Sequence, residues 1–195
     1  MNLQQVLGGA LSEDTIRQMS QSLGTDPQTT GNAVQAALPM LLGAMAHHSS
    51  SDQGASALLG ALNRDHDGSI LNDIAGFLGS GDSSSGQGIL GHILGGNTNT
   101  VANGVSQASG LSLGNSGQLL TMLAPIVMGA LGSVNQSQGL NQSSLAGLLG
   151  NATQALGGGS SGIVGTMGRL LDQNQDGSVV DDLMRMAGGF LGRGN

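Results

Sequence analysis

The sequence has no cysteine, tryptophan, tyrosine or lysine, and only two phenylalanines, Phe77 and Phe190. Without cysteine there is no disulfide framework, and no redox compartment can be inferred. Without large aromatics, a core must be assembled from Leu, Ile, Val, Met and Ala. Such a core packs well only where backbones approach closely. The 36 glycines among 195 residues permit that approach, although each one inside a helix costs roughly 1 kcal/mol relative to alanine. The expectation is a modestly stable protein whose order is supported by bound metal.

Positive charge is equally scarce. Five arginines face twelve acidic residues, for a net charge of −7. Phosphate neutralisation needs clustered Lys or Arg, so no nucleic acid is expected as a partner, and anionic membranes are disfavoured on the same ground. The opening residues Met1 to Leu7 lack a basic region followed by a long apolar run and do not read as a secretory signal. The longest apolar stretches, 33–46 and 119–131, fall short of the ~20 residues a bilayer requires, and each contains a proline. A soluble, cytoplasmic protein is expected.

What the chain does contain is helical punctuation. Ser12 is a good N-cap, Glu13 and Asp14 place negative charge in the first turn, and Gly24 supplies a stop. Leu11 and Ile16 are spaced for a hydrophobic staple. Asp26-Pro27 then opens a second helix, with Val34, Leu38, Leu41, Leu42 and Met45 as its apolar stripe and Pro39 as a kink. The segments 80–87, 95–103 and 157–162 are rich in Gly and Ser or Asn and read as loops. No run alternates as a strand does. The fold class predicted is all-α.

Parts of the pattern occur twice. Leu38-Pro39-Met40-Leu41-Leu42-Gly43-Ala44 is echoed by Ala124-Pro125-Ile126-Val127-Met128-Gly129-Ala130. An acidic loop at 63–73 is echoed at 172–182, and each is followed by a phrase containing Phe-Leu-Gly, around Phe77 and Phe190. The prolines are 86 residues apart and the loops 109, so the second copy carries an insertion of 23. A Gly/Ala-rich helical bundle of two related halves is expected. The N-terminal helical repeat spans 1–94 with loop 63–73, and the C-terminal one spans 95–195 with loop 172–182.

These loops carry the clearest chemistry. Side-chain oxygens from Asn63, Asp65 and Asp67 fall at positions 1, 3 and 5, Gly68 follows, and the Ser69 carbonyl is the backbone candidate. The second loop supplies Asp172, Asn174, Asp176 and Ser178 in the same places. Ile70 and Val179 take the apolar eighth position. Alternate oxygens around a glycine turn can converge on a hard cation, as in a calcium loop of the EF-hand type. An EF-hand closes on a bidentate Glu at position 12, but that position is Ile74 or Leu183 here, and the nearest carboxylates are Asp73 and Asp182. Binding in the ~10⁻⁵ to 10⁻³ M range is expected, calcium ahead of magnesium as a weaker competitor. The alternative is that Asp and Asn before Gly simply form turns, with Ser69 and Ser178 capping the next helix.

The phrases around Pro39 and Gly68, with their later echoes, resemble a bacterial domain-of-unknown-function family, number 937, similar to the YidB-like proteins. The resemblance implies a bacterial helical protein with acidic Asp-Gly-Ser loops and brings no activity with it. Other chemistry is thin. His47 and His48 are neighbours and cannot jointly face one ion on a helix. His66 and His92 have no partner at ligand spacing, so all four read as solvent-exposed. No nucleophile elbow surrounds Ser84, Ser85 or Ser160, and no phosphate loop is present. The methionines read as core filler. The leading expectation is therefore a non-enzymatic calcium-binding helical protein. Its rivals are a metal-independent self-assembly or protein-interaction module, homo-oligomeric or bound to a partner, and a membrane-active hairpin.

Overall fold

A computed structural model of the chain describes residues 2–157. These fall almost wholly within the first of two compact units, residues 1–156 and 157–195. Every regular element among the described residues is helical, in agreement with an all-α fold.

The chain begins with α1 (Leu3–Ala10), which the sequence reading missed; Asn2 caps it by accepting from the Gln5 N–H. Helix α2 (Glu13–Leu23) starts and stops as expected. Ser12 accepts from the Thr15 N–H, and Gly24 closes the helix in the left-handed conformation, φ 64°. Helix α3 (Pro27–His48) continues through Pro39, and α4 (Asp52–Arg64) leads into the first acidic loop. A 3₁₀ turn (Ser69–Asn72) and the short α5 (Ile74–Ser80) follow.

Two segments read as loops are largely helical. Helix α6 (Ser84–Leu94), which starts on Ser and Gly, and, after a 3₁₀ turn at Gly95–Asn97, α7 (Thr98–Ser109), rich in Thr, Asn and Ser, occupy them. Weak propensity is overridden because each helix buries an apolar edge: Ile89, Leu90 and Leu94 in α6, Ala102 and Val105 in α7.

Helix α8 (Leu113–Gln138) is the axle of the unit. It packs against α1, α2, α3, α4, α6, α7 and the 3₁₀ turn within the acidic loop. Leu119, Leu120, Leu123, Ile126, Val127 and Leu131 along it are wholly buried. Helix α9 (Gln142–Gly157) adds Leu145, Leu149 and Ala152 to the same core. That core draws on residues before and after 94. Among the described residues α8 alone is long and apolar enough to cross a membrane, and 78% of its most apolar window is buried inside the fold.

Pro125 shapes one contact on this axle. Proline has no N–H, so the Thr121 carbonyl one turn earlier lacks its regular helical partner. The backbone of α6 lies against that carbonyl at Gly86, where any Cβ would overlap it. Glycine is required there for close approach.

Candidate functional site

The acidic loop 63–73 sits on α8. The close approach is made at three small residues of the helix: the His66 carbonyl lies against Gly132, Ile70 against Gly129, and Gly68 against Ser133. Gly68 turns the corner at φ 95°, a conformation that disfavours any side chain. Ile70, the apolar eighth position, thus lies over α8, half-buried.

The side chains proposed as ligands are placed individually. Asn63 Oδ1 accepts a 2.8 Å hydrogen bond from Asn135 Nδ2 of α8, and Asn135 Oδ1 in turn accepts from the Leu140 N–H. Asp67 Oδ1 accepts from the Ser69 N–H at 2.9 Å, a local turn that holds its carboxyl below the usual aspartate range. Asp73 Oδ1 accepts from the Gly76 N–H at 2.8 Å and caps α5. The expected cap was Ser69, but Ser69 begins the 3₁₀ turn, so the cap of the next α-helix falls four residues later, at Asp73. Asp65 ends α4, and among the described residues its carboxylate has no hydrogen-bond or ion-pair partner. No three His, Cys, Asp or Glu side chains gather into a metal-holding group among the described residues. Asp172, Asn174, Asp176, Ser178 and Asp182, with Phe190 and loop 157–162, lie wholly or almost wholly outside the described residues.

Beside the loop the fold opens a cleft of about 780 Å³ between α4 and α6. Leu58 of α4 and Ile89 and Ile93 of α6 form apolar lining, with Met128 contributed by α8. Its polar lining includes three of the four histidines, His48, His66 and His92, together with Arg64 and Asp65. Sequence reasoning placed these histidines in solvent. His47 and His92 are exposed, but His48 and His66 are half-buried. Burial lowers the His66 pKa, and the nearby Asp65 carboxylate partly opposes that shift. Arg17 pairs with Asp14 at 2.7 Å, whereas Arg64 has no carboxylate or hydrogen-bond partner among the described residues. No local motif announces the cleft, because its residues come from the end of α3, one face each of α4 and α6, and Met128 of α8.

A smaller cavity of about 200 Å³ adjoins the loop, lined by Asp65, Asp82, Ser69, Ser85 and Pro125 among others. Asp82 is occupied locally: its Oδ1 accepts from both the N–H and the hydroxyl of Ser84, which lowers its pKa.

Comparison with known proteins adds a lineage and no chemistry. No curated protein and no solved structure matches the chain. A family model described as "Bacterial protein of unknown function (DUF937)" matches residues 5–134, from within α1 to near the end of α8, and so includes the first acidic loop and the cleft. The chain therefore belongs to that bacterial family of unknown function, DUF937.

Proposed function

We propose that the described unit is a non-enzymatic binding module whose site is the cleft between α4 and α6. The observation that carries this reading is the combination within one concavity: an apolar lining, three imidazoles and an arginine with no partner among the described residues. Ligand pockets of roughly 300–1,000 Å³ are built in this way, mostly apolar with a few convergent polar groups. The volume suits a small molecule.

Ala57 is exposed and lines the cleft, so Ala57→Trp would fill it without entering the core. Ligand-observed NMR on a mixture of small amphiphiles should give saturation transfer with the natural protein. The signals should vanish in Ala57→Trp while its thermal melt stays unchanged. Signals that persist in the variant, or none in either protein, would remove the cleft from consideration.

A second reading retains calcium at the duplicated loops, and with it two related halves, a cytoplasmic setting and metal-supported order. Asp65 favours it, as a carboxylate with no hydrogen-bond or ion-pair partner among the described residues, three residues before the Gly68 corner. In this reading calcium draws Asp65, Asp67 and Asp73 together with the Ser69 carbonyl, and magnesium competes weakly. Millimolar calcium should then release heat and raise the melting temperature by mass action. Asp67→Ala combined with Asp176→Ala should abolish both effects. An unchanged melt of the natural protein in calcium would leave the loop as a latch on α8. That outcome returns weight to metal-independent interaction.

A further inference from the structure

We infer that the cleft between α4 and α6 selects a small amphiphile bearing an anionic head, of the medium-chain carboxylate class. This rests on the cleft reading above and adds the chemistry of the ligand. The protein is acidic overall, at a net charge of −7, and carries only five arginines. Of the two arginines among the described residues, Arg17 is neutralised by Asp14. Arg64 has no carboxylate or hydrogen-bond partner among the described residues, is exposed, and lines the cleft. Three imidazoles line the same space, each able to donate a hydrogen bond to an oxyanion. Among the described residues the one carboxylate in the lining is Asp65. A guanidinium offers a planar fork of donors that fits a carboxylate in two-point fashion. Ala57, Ala61 and Ile93 offer apolar surface in the same cleft for a short alkyl body, backed by the buried Leu58, Ile89 and Met128. A cationic ligand would face Arg64, and a purely apolar one would leave the polar groups unused.

The test uses three probes of equal chain length, octanoate, 1-octanol and octyltrimethylammonium, each titrated calorimetrically into the full chain. Octanoate should bind at least tenfold more tightly than octanol, and the ammonium should not bind. Arg64→Gln should bring octanoate down to the octanol level, while Arg64→Lys should retain part of the preference. Arg64 is exposed, so both variants should melt like the natural protein. Equal affinity for octanoate and octanol, or full octanoate affinity in Arg64→Gln, overturns the inference. Ala57→Trp separates the two levels. If it abolishes binding of all probes while the head group makes no difference, the cleft reading stands and the anion preference falls. If octanoate binds Ala57→Trp undiminished, both fall.

Discussion

Gly132→Ala is expected to destabilise the unit by about 2–3 kcal/mol, whereas Gly117→Ala, on the same helix, should stabilise it by about 1 kcal/mol. The contrast follows from what each new Cβ would meet. At Gly117 nothing lies within 4 Å, so only the helix-propensity gain remains. At Gly132 the methyl would overlap the carbonyl oxygen and carbon of His66, which are backbone atoms and cannot rotate aside. Relief requires the acidic loop to lift from α8. Gly129→Ala should fall between the two, because its clash is with the Cγ2 methyl of Ile70, a side-chain atom that can shift where backbone cannot. Chemical denaturation of the three variants checks the order. Equal effects at 117 and 132 would mean that the loop does not dock on α8.

Leu120→Ala should cost about 3–4 kcal/mol and lower the melting temperature by roughly 10 °C. Leu120 is wholly buried on α8, in a core whose largest fully buried side chains are Leu, Ile and Met. An aliphatic core held between rigid helices closes poorly over a missing isobutyl group. Because α8 touches helices on both sides of residue 94, the loss should appear as one displaced transition. Hydrogen exchange should show amides of α3 and α7 opening together. Separate transitions would divide the described unit near that residue.

The helical class and the family were legible because they rest on local marks. The Ser12 cap, the Gly24 stop and the Asp26-Pro27 start are fixed within a few residues of chain, and the structure places all three as expected. Helices α6 and α7 were not legible, since their helicity depends on burial against α8 rather than on propensity. The loop residues were legible as a motif but not in their local commitments. Asn63 turns to Asn135, a residue 72 positions away, and Asp73 rather than Ser69 takes the cap. The cleft was invisible for the same reason. His48, His66 and His92 have no shared spacing, and only packing gives them a common space.

The central position of α8 also has a temporal consequence. A ribosome releases α1 through α7 before the axle they wrap has been made. Until residue 138 clears the exit tunnel, side chains such as Leu7, Leu42, Leu62 and Leu90 lack the surface that completes their burial. Assembly of this unit therefore waits for its eighth helix, and a nascent chain stalled before that point presents adhesive apolar faces to chaperones.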